Sequence, residues 1–273
     1  AHIASGAAME DLSDTVIGLN SNLKVTPQQM ETVLSGLHKL GKEGSFELND
    51  MSRHIKSLSA SFAGLGMTGP DAAYEIGAAL QVAIKGAGSA DEAANNVQNL
   101  VNKFYAPETL AKFKKEFNID FAASIAEGKQ QGKSTLLAAL DVIDQVTKGG
   151  DQRLLGRVFG DMQVQAALRP LLQNMDELRR LVQLAKQAEG EIQTDYDKNK
   201  DTSLSSIDRL VAAFSRLKLA IGDAFDGKEG VGLLKQIVGN IDAVTDWVTK
   251  NKALVVTIAK VVGGVLALKV GML

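Results

Sequence analysis

The sequence predicts an all-α fold: an array or bundle of short amphipathic helices, followed by a longer amphipathic helix and an apolar C-terminal helix. Aromatic residues make up only 5% of the chain, so Ala, Leu and Val must fill its interior, and such an interior suits close helix packing. Prolines number only four, while good helix formers are abundant. The 26 glycines interrupt the helices, because each glycine inside a helix costs about 1 kcal/mol relative to Ala. We therefore expect a locally folded bundle rather than one long rod.

Charge and composition exclude several classes of function. The 30 basic and 32 acidic residues are well mixed and leave a net charge of −2, which gives no electrostatic footprint for sequence-specific nucleic-acid binding. The chain has no cysteine, so disulfides and thiolate metal sites are ruled out. Its opening, AHIASGAAM, lacks an initiator Met and fits no signal peptide, so we expect a piece of a longer or processed protein.

Helix start signals recur through residues 1–105. Thr26, Pro27 and Gln29 form a capping box with proline at the first helical position. Ser45 is expected to cap the next helix, and the run from Ser89 to Glu92 is a second capping box. Apolar residues follow each signal at spacings of three and four, which predicts helices of three to four turns.

The middle of the chain is less regular. Residues 117–121, FNIDF, alternate apolar and polar side chains and form the one plausible strand, too short to support a sheet by itself. Residues 134–148 return to helix. Pro170 lies inside a later helical pattern, so we expect a kink or break at Arg169–Pro170.

These patterns predict four parts: a helical core domain over 1–190, a polar linker over 191–202, amphipathic helices over 203–252, and an apolar segment over 253–273. The last segment approaches the roughly 20 residues that cross a bilayer core. Lys260 and Lys269 oppose a span, because a lysine near its centre costs about 2.5–3.5 kcal/mol on insertion scales. We describe it as membrane-capable rather than transmembrane; its apolar residues are Leu254, Val255, Val256, Ile258, Val261, Val262, Val265, Leu266 and Leu268.

The run GKQQGKST over 128–135 invites comparison with a phosphate-binding P-loop, which needs four residues between its glycines. Gly128 and Gly132 enclose only three, and Glu127, just before them, would repel phosphate. We interpret the run as a glycine-rich turn in which Ser134 caps the next helix. No cofactor is expected.

Candidate catalytic and metal-binding residues are equally weak. His2 lies near the chain start, and His38 and His54 are expected on the polar sides of separate helices, without metal-ligand spacing. Acidic pairs such as Asp91–Glu92 fall at helix starts, where carboxylates favour the positive end of the helix dipole. No nucleophile, base and oxyanion set can be assembled, so we expect no enzyme.

Several phrases carry a family resemblance. EFNIDF (116–121), followed some forty residues later by VFGDMQVQAALRPLL (158–172), resembles the core region of tail tape measure proteins of tailed bacteriophages and related contractile bacteriocins. Asn118 stands where that family usually has Gly. The matching positions that we single out are Phe117, Asp120, Phe159, Gly160 and Pro170.

The resemblance implies a structural role in the virion. Tape measure proteins lie as a few parallel copies in the lumen of the tail tube, and their length sets the length of the tail. The implied partners are the tail tube protein, tail-tip or baseplate proteins and tail assembly chaperones, together with further copies of the chain. On infection such proteins leave ahead of the DNA, and their apolar segments are thought to help DNA cross the host inner membrane.

Two rival hypotheses come from other classes. A membrane-active helical protein would insert residues 203–273, with the N-terminal helices shielding them in the soluble state. A nucleotide-dependent enzyme would need the P-loop whose spacing is wrong here.

Overall fold

The computed structural model describes residues 2–199, and within that range every regular element is a helix, as the sequence predicts. The elements are α1 His2–Ser5, α2 Met9–Ser21, α3 Pro27–Glu43, α4 Leu48–Gly64, α5 Gly69–Ala83, the short 3₁₀ helix η1 Ile84–Gly86, α6 Ala90–Lys103, α7 Pro107–Phe117, α8 Phe121–Gln130, α9 Thr135–Thr147, α10 Gln152–Val158, α11 Met162–Gln173, α12 Met175–Lys186 and α13 Glu191–Asn199. The described residues belong to one compact unit that extends to Thr202. The amphipathic and membrane-capable segments predicted over 203–273 lie outside them.

Helix α5 is the centre of this unit. It packs against α3, α4, α6, α11 and α12, and all of its residues from Ala72 to Ala83 are buried. Helices that are apolar on every side are typically buried in this way. Small residues allow the close approach: a β-carbon at Gly77 would lie 2.7 Å from Leu40 Cδ1 and 2.8 Å from Leu37 Cδ2.

Gln81 is a buried polar residue of α5 that fixes the α3–α4 connection. Its amide nitrogen donates to the carbonyls of Leu40 and Phe46, at 2.9 and 2.5 Å, and its oxygen accepts from the Phe46 N–H at 3.1 Å. These bonds hold the backbone of Phe46, whose side chain is fully buried. Helix α4 therefore begins at Leu48 with Glu47 as its N-cap, and the expected cap at Ser45 is wrong.

Other start signals behave as expected. At Thr26 the backbone N–H donates to Gln29 Oε1 at 3.1 Å, as a capping box requires. Ser89 Oγ accepts from the Glu92 N–H at 3.1 Å, but the Glu92 carboxylate accepts from Gly88 rather than from Ser89. The leucine, isoleucine and phenylalanine positions predicted inward on α4 are all buried.

Pro170 does not break its helix. Helix α11 continues to Gln173, and the chain turns only at Asn174. Proline cannot donate to the carbonyl four residues earlier, here Ala166. That carbonyl and the proline ring both face η1, where a β-carbon at Gly86 would lie 3.1 Å from Ala166 O and 3.1 Å from Pro170 Cγ. Packing against a glycine thus accommodates the proline, so the expected break is wrong.

Residues 191–199, which the sequence predicts as polar linker, form α13 instead. This helix packs against α3 and α1, with Ile192 and Asp195 buried. A helix whose polar residues face another helix shows no apolar stripe, and periodicity alone therefore misses it.

Two glycines give a matched test of how tightly the bundle is packed. A β-carbon at Gly36 would lie 2.4 Å from Tyr74 Cε1 and 2.8 Å from the carbonyl oxygen of Ala185, whereas one at Gly156 meets nothing within 4 Å. We expect Gly36→Ala to lower the free energy of unfolding by about 1–3 kcal/mol through overpacking. Gly156→Ala should raise it by about 0.5–1 kcal/mol through helix propensity.

Urea unfolding followed by circular dichroism at 222 nm measures both changes. Equal effects of the two substitutions would contradict the close contact of α3 with α5 and α12.

Candidate functional site: an aromatic corner, a buried carboxyl and a charged clamp

Two of the five motif residues singled out from sequence, Phe117 and Phe159, meet in one aromatic corner built by α7, α8 and the end of α10. Phe113 lies at its centre: its ring stacks on Phe121 with centroids 4.0 Å apart, and the centroids of Phe117 and Phe159 each lie 6.1 Å away. Phe104 packs edge-on against Phe121 at 6.3 Å. Phe113, Phe121 and Phe104 are fully or almost fully buried. The corner thus joins α6, α7, α8 and the end of α10 by packing.

The FNIDF phrase is a helix-to-helix turn, so the predicted strand is wrong. Phe117 ends α7, Asn118 adopts the left-handed conformation with φ +56°, and Asp120 caps α8 by accepting from the Ala123 N–H at 3.0 Å. Asn118 is the C-cap of α7 and Asp120 is the N-cap of α8. These two polar residues alternate with apolar ones, so the turn shows the same pattern as a strand. The left-handed conformation also explains why glycine suits position 118.

The FG phrase forms a similar turn between α10 and α11. Phe159 is buried in the corner, Gly160 is exposed, and Asp161 caps α11 by accepting from the Gln163 N–H at 2.8 Å. Pro170 lies apart from the corner, against η1. The motif residues therefore position helices, and none of them presents a reactive group to a cleft.

The P-loop-like run behaves as a turn. Ser134 caps α9 by accepting from the Leu137 N–H at 3.1 Å, as predicted. Gly128 lies inside α8, where a β-carbon would come within 2.7 Å of Ala138 Cβ, so it serves helix packing. Lys133 is paired with Asp141 at 2.6 Å. A lysine neutralised by a carboxylate, beside Glu127, does not form a phosphate cradle.

Glu75, which sequence reasoning missed, is the buried carboxyl of the bundle. It lies on α5, is 5% exposed, and accepts from Ser134 Oγ at 2.6 Å. Burial raises its pKa from the ordinary 4.5 to about 7, against the opposing effect of the Ser134 hydrogen bond. Asp71 raises the pKa further and Lys186 lowers it. The sequence signal for this residue is a glutamate flanked by apolar residues within α5.

A charged clamp joins α3 to α13. His38 Nε2 lies 3.0 Å from Asp195 Oδ2, and Lys42 Nζ lies 2.7 Å from both Asp195 Oδ2 and Glu191 Oε1. Burial raises the pKa of Asp195, but hydrogen bonds from Lys42, His38 and Lys198 outweigh this effect and hold the pKa well below its ordinary value. His38 lies on the polar side of α3, as expected, but it is only 6% exposed because α13 covers that side.

Ser35, His38 and Asp195 are the residue types of a catalytic triad, but in this clamp they are buried and a substrate could not reach them. Ser35 lies one turn before His38, yet its hydroxyl is fully buried and accepts from the Ile192 N–H at 3.4 Å. The His38–Asp195 pair is covered as well. Within residues 2–199, no group of three or more His, Asp or Glu side chains is placed to hold a metal ion. In the same range, no helix has the length and hydropathy needed to cross a bilayer.

The motif residues of this all-α bundle thus act as helix caps and packing contacts. The chain belongs to the phage-related minor tail protein family, whose model matches residues 1–195. It is thus a structural protein of a phage tail and a component of the virion. The matched region ends within α13, so it coincides with the helical unit described above.

One relative gives a more specific likeness. The chain is 31% identical over 150 residues to a probable tape measure protein of Burkholderia phage BcepMu. The match covers 54% of this chain and 18% of that protein, so the chain corresponds to a small part of its relative. No solved structure matches the chain.

The buried carboxyl predicts a defined pH dependence. Because the folded pKa of Glu75 lies above the unfolded one, the folded state binds the proton more tightly. The free energy of unfolding should therefore fall as pH rises from about 4.5 to 7, by about 3 kcal/mol at most for this group. In Glu75→Gln, which keeps an acceptor for Ser134, that fall should disappear.

Urea unfolding of both proteins at pH 5 and pH 8 measures the difference. An identical change in wild type and variant would show that Glu75 is not the group responsible.

The turn after α7 predicts a second effect. Asn118→Gly should stabilise the protein by up to about 1 kcal/mol, since glycine adopts positive φ without a steric penalty. Asn118→Val should destabilise it by about 1–2 kcal/mol, because a β-branched residue disfavours this conformation. Thermal unfolding of the two variants ranks them, and the reverse order would contradict the left-handed cap.

Proposed function

We propose that the chain is a segment of a tape measure protein that occupies the lumen of the tail tube and takes part in setting tail length. The observation that carries this proposal is the 31% identity over 150 residues to the BcepMu probable tape measure protein. The composition and fold support it, since a helical, aromatic-poor chain whose motif residues act as helix caps and packing contacts suits a scaffold role.

The geometry refines what this segment contributes. Helix α5 is buried on all sides, and α3, α4, α6, α11 and α12 surround it. A ruler made of one continuous helix would leave no such central element. In this proposal residues 2–199 are a folded domain of the tape measure protein, and the extended measuring part lies elsewhere in the parent protein.

The partners in this proposal follow from the position in the tail. The tail tube protein would surround the parent chain, tail-tip or baseplate proteins would meet its end, and assembly chaperones would bind it before the tube closes. A few parallel copies would lie together. In the same proposal the protein leaves the tail ahead of the DNA on infection and helps the DNA pass into the host.

An in-frame deletion of residues 2–199 in the parent phage tests the role in tail assembly. We expect tails to be missing or irregular and plaque formation to be lost, because the deletion removes a folded domain on which assembly depends. Negative-stain microscopy and plaque assays measure both outcomes.

A phage carrying Gly156→Ala is the matched control, since that substitution meets no neighbouring atom and should leave tails normal. Normal tails and titre in the deletion phage would overturn the proposal.

A further inference from the structure

The face of α3 that lies beneath α13 is lined by polar side chains. Ser35, His38, Lys39 and Lys42 follow one another at helical spacing along it. Ser35 and His38 are buried, and Lys42 remains exposed at the edge. The sequence of α3 therefore places cations, a histidine and a hydroxyl where a packed helix usually has Leu or Val.

Helix α13 places acidic residues against this polar face of α3. Glu191 and Asp195, one turn apart, both contact Lys42 at 2.7 Å, and Lys39 Nζ lies 3.7 Å from Glu191. His38 completes the set at 3.0 Å from Asp195, and Lys198 of α13 itself lies 3.2 Å from the same carboxylate. These charges are complementary across the whole interface.

Apolar burial contributes little to this contact. Ile192 is the buried apolar residue of α13, and Tyr196 is partly exposed. The preceding helix, α12, buries Leu178, Leu181, Val182 and Ala185. Removing one isoleucine from its site costs far less than removing four such residues. On leaving, α13 would expose polar side chains that water can solvate at once.

Helix α1 belongs to the same layer. It is four residues long and packs against α13, while its Ala4 is partly buried. So short a helix depends on its neighbours for stability. Loss of α13 would therefore remove the support of α1 as well.

We propose that α13 is a detachable strap, held on α3 by charge, which leaves the bundle together with α1 while the remaining helices stay folded. Local opening of this kind is expected where apolar contacts are few. When the strap opens, residues 187–199 become free chain that can reach about 45 Å at 3.3–3.6 Å per residue.

Hydrogen exchange of the full chain tests this inference. Raising NaCl from 0.1 to 1 M shortens the screening length from about 10 to about 3 Å. Since the pairs of Lys39 and Lys42 with Glu191 lie at the accessible edge of the clamp and are screened by salt, backbone amides of α13 and α1 should exchange about tenfold faster at 1 M. Amides of α5 and α11 should not change.

Lys42→Met supplies the matched variant, because Lys42 joins both acidic residues and is exposed enough to be replaced without unfolding the bundle. It should give fast exchange of α13 at 0.1 M and remove the salt response. Lys103→Met, which breaks an exposed pair with Glu108 outside this layer, should behave as wild type.

Two results would overturn the proposal that α13 detaches on its own. One is salt-independent protection of α13 in the wild type. The other is exchange of α13 that accelerates in parallel with α5, because the helix would then open only when the whole bundle unfolds.

Discussion

The burial of α5 among small residues is the constraint on which the rest of the fold depends. Helix α5 contacts five others, and its alanines and Gly77 allow its neighbours to approach closely. The same closeness requires Gly36 on α3 opposite Tyr74, and it leaves room for only two polar side chains, Gln81 and Glu75. Gln81 fixes a loop, and Glu75 holds the start of α9.

Helices could be predicted from sequence wherever one face is apolar. The inward positions of α4, from Leu48 to Phe62, follow from spacing alone because they pack against apolar neighbours. Two features that the sequence did not reveal, the burial of His38 and the start of α4, have a common cause, which is a tertiary contact that no local pattern records. His38 is buried because a polar helix distant in sequence covers it, and α4 starts late because Gln81 holds Phe46.

The family phrases gain a physical meaning from the structure. Asp120 and Asp161 are helix caps, Asn118 is a left-handed turn residue, and Phe117 and Phe159 close around Phe113. Sequence could supply these positions through resemblance but not their roles, since the aromatic corner assembles residues from α6 to α10. The corner explains how a diffuse motif identifies a structural family without marking a reaction.

The contact of α1 with α13 brings the two ends of the described unit side by side. The chain thus enters and leaves this domain at neighbouring points. A continuous helix of residues 2–199 would add about 300 Å to a tape at 1.5 Å per residue, whereas this fold adds only the short distance between its ends. Under the proposed function this domain itself adds almost nothing to the length of the tail. Evolution could then enlarge this domain or exchange it for another folded one without altering the measured length.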